Sequence, residues 1–111
     1  MTKYKNTKIT TDGIKFDSKL EYKRYVELTL LQKAGKIQDL KIHPEFEIFP
    51  EFKKHGKTYR RTLYIADFSY FDVTANKYVI EDTKGVKTAV YSLKKKMFEY
   101  KYPWKITEIR R

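Results

Sequence analysis

Three observations predict an α/β fold, with a mixed central sheet flanked by helices, for this chain of 111 residues. Hydrophobic spacing is helical after Asp17, alternating after Leu40, and helical again after Thr88. Two runs rich in β-branched and aromatic residues, Tyr64–Tyr70 and Val79–Lys84, read as neighbouring strands. A last alternating run, Trp104 to Ile109, follows the second helical stretch and completes the order α-β-β-β-α-β.

Taken in order, residues 1–13 read as a basic N-terminal arm ending in a turn at Asp12-Gly13, and 14–111 as one domain. Asp17-Ser18 opens a helix that runs to about Ala34, with Gly35 as the residue that ends it. Ser18 and Glu21 have the spacing of a capping box. Tyr25, Leu28 and Leu31, flanked by Leu20, Val26 and Leu30, form the expected buried stripe. Glu45–Phe49 alternates between Pro44 and Pro50, which marks an edge strand. Lys53–Gly56 is a basic turn, Thr58 to Phe71 a long returning strand, and Asp72–Lys77 the turn into a strand over Tyr78–Lys84. Thr88 can cap a second helix reaching about Tyr100, with Val90, Leu93 and Met97 at helical spacing, and Pro103 stops it.

Composition narrows the chemistry. With no cysteine, disulfides, thiolate zinc sites and cysteine nucleophiles are excluded. The first twenty residues hold no apolar run, so neither a signal peptide nor a membrane span is expected, and the location expected is cytoplasmic. The net charge is +11, from 25 Lys and Arg against 14 Asp and Glu. That balance, with ten tyrosines, suits a polyanionic partner, because Lys and Arg neutralise phosphates and release counterions. Nucleic acid is the expected partner; a solvated lysine-rich surface is the plainer reading.

The candidate chemistry sits on the two strands. Side chains alternate along a strand, so Asp82 and Lys84 share one face and Glu81 takes the other, toward a lysine or a capping donor. Asp67 interrupts an apolar strand, on a face with Ile65 and Ser69, where a carboxylate is costly unless it is paired or coordinated. A salt bridge or a shared cation would each satisfy it. Two carboxylates and an ammonium on adjacent strands are the minimum equipment for metal-dependent phosphodiester hydrolysis. Glu21 fits a helix cap and equally an inward-pointing site residue. Arg60, Arg61, Lys87, Lys94 and Lys95 are candidate phosphate contacts, and the helix start near Thr88 a candidate anion site. His43 and His55 have no partner at metal-ligand spacing in the sequence and read as structural or surface residues.

The element order, together with Asp67, Asp82-Thr83-Lys84 and the helical Glu21, resembles the PD-(D/E)xK nuclease superfamily. The likeness is closest to its small phage-encoded members, through Phe16-Asp17-Ser18-Lys19, Ala66-Asp67-Phe68 and Glu81-Asp82-Thr83-Lys84-Gly85. It spans about residues 12 to 109. The superfamily's Pro-Asp is Ala66-Asp67 here.

The resemblance implies a restriction-endonuclease-like core. It implies a Mg2+ site, with Mn2+ as a substitute, formed by Asp67, Asp82, the Thr83 carbonyl and Glu21. Lys84 would stand beside the attacking water, and cleavage would leave 5′-phosphate and 3′-hydroxyl ends. The expected activity is a DNA endonuclease acting on branched or junction DNA, or nicking, as a possible homodimer. A non-catalytic basic DNA-binding module and an RNA-directed or toxin-like nuclease are the alternatives.

Overall fold

The computed structural model describes residues 8–83 and 87–110. β1 (Ile9–Thr11) and β2 (Ile14–Phe16) form a hairpin. Its turn, Asp12-Gly13, has positive φ at both residues (54° and 76°), the geometry that matches the twist of a two-residue hairpin. The stretch expected to be an arm is therefore ordered from Ile9 onward, while residues 1–7 lie outside the described residues.

α1 spans Lys19–Lys33. Ser18 Oγ accepts a hydrogen bond from Glu21 N at 3.1 Å, and Gly35, at φ 79°, ends the helix as expected. Its packed face differs from the expected stripe. Leu28 is buried and Tyr22 and Tyr25 are half-buried, but Val26, Leu30 and Leu31 are exposed. The helix carries apolar residues around much of its circumference, so spacing alone did not select the face; contact with Phe16 did.

Among the described residues, seven strands lie between the helices: β3 (Ile37–Ile42), β4 (Glu45–Phe49), β5 (Phe52–Lys54), β6 (Lys57–Tyr59), β7 (Thr62–Ile65), β8 (Phe68–Asp72) and β9 (Lys77–Thr83). α2 (Ala89–Lys101) and β10 (Ile106–Ile109) follow. The main sheet is mixed, in the order β10-β9-β8-β3, with only β9 and β10 parallel. β4 pairs with β7, and β5 with β6, as separate ribbons.

The single strand expected from Thr58 to Phe71 is thus three strands. At Ala66-Asp67 the backbone changes partner: Ala66 N donates to Pro44 O at 3.1 Å, and Asp67 N donates to Glu81 O at 3.1 Å. The alternation expected across Asp67 breaks there too, since Ile65 is 51% exposed and Ser69 fully buried.

The main sheet is covered on both faces. Val79 faces a cluster of Phe16, Leu28, Ile37, Phe68 and Tyr70 under α1. The next residue, Ile80, faces Ile48, Tyr64, Tyr91, Phe98 and Ile106 under α2. Burial on both faces accounts for the apolar start of β9. On α2 the buried residues are Tyr91 and Phe98; Val90 and Leu93, noted for their helical spacing, are exposed. Large aromatic rings fill this side, and they set the helix's rotation.

Candidate functional site

Three chain segments meet where β3 ends, β7 gives way to β8, and α1 begins. His43 follows β3 with φ 56°, and its N–H donates to Asp67 O at 2.9 Å. With the Ala66–Pro44 and Asp67–Glu81 bonds, this pins the Asp67 backbone to both neighbours. Glu21, in the first turn of α1, reaches the same corner.

Glu21 is 2% exposed, and its two oxygens have different tasks. Oε1 accepts from Asp17 N at 2.9 Å, closing the helix start one residue earlier than a standard capping box. Oε2 lies 2.7 Å from His43 Nε2. One side chain therefore closes the helix start and also reaches the corner shared with His43 and Asp67. Asp67 Oδ2 accepts from Thr83 N at 2.6 Å and Thr83 Oγ1 at 2.7 Å. One ligand atom from each of Glu21, His43 and Asp67 falls within 4.8 Å of the others, an arrangement able to hold a metal ion.

His43 corrects the expectation that neither histidine has a partner at ligand spacing. Its partners lie 22 residues before it and 24 after, so no local spacing could reveal them. The available hint was position: His43-Pro44 closes one strand and precedes another. His55 is exposed, in the turn between β5 and β6.

The strand-parity expectation for Glu81 and Asp82 holds. Glu81 points toward α1, where Arg24 Nε and Nη2 donate to it at 2.9 and 2.7 Å and the Tyr70 hydroxyl also donates. The hydrogen bond with Glu81 raises the Arg24 pKa, outweighing burial. Asp82 points to the α2 side and accepts from the Tyr64 hydroxyl. Burial first, then the charge of Asp82, pushes the Tyr64 phenol far above its usual value. Asp82 is not part of the Glu21–His43–Asp67 group among the described residues. Thr83 directs its N–H and hydroxyl at Asp67, and Lys84 lies outside the described residues.

The expected phosphate contacts are distributed rather than clustered. Arg60 and Arg61 are exposed, with Arg61 Nη1 3.7 Å from Glu47. Lys87 is 3.4 Å from Glu108 and Lys95 3.0 Å from Glu99, while Lys94 is half-buried. Thr88 Oγ1 caps α2 by accepting from Tyr91 N at 3.0 Å. Surface pairs of this kind contribute little stability and leave the net positive charge intact.

Fold and site together define a small, basic α/β protein with a carboxylate–imidazole cluster at a junction of strands. The sequence matches DUF1064, described as a protein of unknown function, over residues 1–111, and the chain belongs to this family. No curated protein and no solved structure matches it. Among the described residues, no helix is long and apolar enough to cross a membrane.

Proposed function

We propose that the chain is a divalent-metal-dependent DNA endonuclease of the PD-(D/E)xK type. The observation that carries this reading is the convergence of Glu21, His43 and Asp67 in a protein of charge +11. Two carboxylates and an imidazole suit a first-row divalent cation, and the imidazole favours Mn2+ more than an all-oxygen Mg2+ site would. A cation held there supplies Lewis-acid polarisation of a phosphoryl oxygen and acidifies water.

The chain's own residues supply the rest. Thr83 fixes the Asp67 carboxylate with two hydrogen bonds, and Asp17 N fixes Glu21. His43 is held against Glu21, which orients its ring. Lys84 follows the site directly in sequence and, on this reading, offsets charge developing on the phosphoryl oxygens. Asp82 supports β9 from the other face, through Tyr64.

The test is cleavage of linear duplex, nicked duplex, four-way junction, single-stranded DNA and RNA, with Mg2+, Mn2+ or EDTA. Asp67→Asn and Glu21→Gln each lower the rate by about 100-fold or more, and Lys84→Ala does so while DNA affinity is retained. Mn2+ raises the thermal midpoint of the unaltered chain and not of Asp67→Asn. Cleavage that survives Asp67→Asn and Glu21→Gln overturns the assignment. Binding without cleavage on every substrate identifies a non-catalytic DNA-binding module.

A further inference from the structure

Among the described residues the β5–β6 ribbon pairs with no other strand, and all six of its strand residues are exposed. A two-stranded hairpin is only marginally stable by itself. This one is stiffened from within. Its turn, His55-Gly56, has φ of 52° and 77°, and Phe52 and Tyr59 are direct cross-strand partners. Their rings stack at 4.7 Å and 9°, Phe49 meets Phe52 edge-on at 5.9 Å, and Lys57 Nζ lies 5.0 Å above the Tyr59 ring. Cross-strand aromatic pairs of this kind contribute rigidity outside a core.

The ribbon is also the most one-sided stretch of charge in this part of the chain. Residues 51–61 contain Lys53, Lys54, Lys57, Arg60 and Arg61 against the lone acid Glu51. We propose that the β5–β6 ribbon is a DNA-contacting arm that enters the major groove of a duplex. The inference rests on the DNA-binding half of the proposed function and does not require cleavage.

The dimensions agree. Paired strands lie about 4.8 Å apart and rise about 3.4 Å per residue, so three-residue strands project about 10 Å. The B-DNA major groove is about 12 Å wide and 8.5 Å deep and admits a two-stranded ribbon. The major groove of A-form RNA is too narrow for side chains to read, so the arm selects duplex DNA. β4 and β7 connect the ribbon to the site, leaving it at Pro44 and Ala66. An extended span of that length is at most about 40 Å, which places the ribbon's contacts within roughly one helical turn of the scissile phosphate.

The test is binding of a labelled duplex about two helical turns long, measured by anisotropy in EDTA across roughly 50 to 200 mM salt. The triple variant Lys53→Ala, Lys54→Ala, Lys57→Ala binds at least about tenfold more weakly. The slope of log K against log salt falls by about 2.7, or about 0.9 per lost contact. The control triple Lys23→Ala, Lys33→Ala, Lys36→Ala, on α1 and the turn after it, changes affinity less than about threefold. Thermal unfolding of the ribbon triple shifts little, since its three lysines are exposed and the only contact named above that it loses is that of Lys57 over the Tyr59 ring.

Equal losses in the two triples overturn the proposal, as does equal dependence on the ribbon for duplex RNA or single-stranded DNA. Because EDTA removes turnover, this outcome is separate from that of the nuclease reading. Cleavage with no role for the ribbon would sink this inference alone; ribbon-dependent binding without cleavage would sink the other alone.

Discussion

β9 carries two adjacent carboxylates, Glu81 and Asp82, each 1% exposed and each on its own face of the sheet. On the α1 face Glu81 meets a guanidinium in a two-pronged contact, with the Tyr70 hydroxyl added. On the α2 face Asp82 meets the Tyr64 phenol, in a layer that also holds Tyr91 and Phe98. A buried carboxylate must be hydrogen-bonded, and one strand here shows two ways of doing it. The α1 face uses a fixed cation beside the candidate site. The α2 face places phenols, and burial followed by hydrogen bonding to Glu108 raises the Tyr91 pKa as well.

The largest expected effect sharpens the contrast in packing. Phe98→Ala removes a fully buried ring from the aromatic α2 side and costs about 4 kcal/mol, against about 3 kcal/mol for Leu28→Ala under α1. Urea denaturation of both variants measures this, and the reverse order would break the comparison. Next comes Arg24→Ala, which leaves Glu81 buried without its cation and costs about 3 kcal/mol. Replacing Arg24 and Glu81 together by Met recovers most of that loss, if the cost is an uncompensated charge rather than lost packing.

Smaller effects compare the two phenols. Tyr70→Phe costs about 1 kcal/mol, because Arg24 keeps its two hydrogen bonds to Glu81. Tyr64→Phe removes the phenol's hydrogen bond to Asp82 and also costs about 1 kcal/mol. A loss well above that of Tyr70→Phe would show that the phenol matters more to Asp82 than to Glu81.

The smallest effect is on β10. Burial works against ionisation of Glu108, but hydrogen bonds from Tyr91, Arg110 and Lys87 hold it down to about 2, from a usual 4.5. A lowered folded pKa gives stability that is present above about pH 4.5 and lost as pH falls toward 2. Glu108→Gln removes about 1 kcal/mol of that dependence, a modest figure because the pairs lie near solvent. Acid denaturation curves of the two proteins would then converge near pH 2 and separate above pH 4.5.

Local signals carried much of the fold. Ser18, Gly35 and Thr88 mark helix ends because capping depends on neighbours within four residues. Asp12-Gly13 and His55-Gly56 fill turns that need positive φ, although only the first was expected to end an arm and neither was read as a two-residue hairpin turn. Alternation along β9 separated Glu81 from Asp82 correctly, since both faces follow from one strand. What remained hidden was non-local. The break at Ala66-Asp67 exists because Pro44 and Glu81 compete for successive N–H groups, and nothing within Thr58–Phe71 announces it. His43 joins Glu21 and Asp67 through the same fold-back, so its role is invisible to spacing. The face of α1 was misjudged where aliphatic spacing pointed to Leu31, Val26 and Leu30, which are exposed, while on α2 the aromatic Tyr91 and Phe98 are buried rather than the aliphatic Val90 and Leu93.

The break at Ala66-Asp67 also makes the protein adjustable. It hands the chain from β7 to β8; β4 and β7 pack under α2 through Ile48 and Tyr64, while β5 and β6 beyond them are exposed. Because side-chain direction repeats every two residues, inserting or deleting residue pairs on both β5 and β6 preserves every facing. The ribbon could thus be lengthened or trimmed across evolution, or by design, in steps of about 7 Å without disturbing Glu21, His43 or Asp67. It would serve as a ruler whose graduations are set independently of the carboxylate–imidazole cluster at its base.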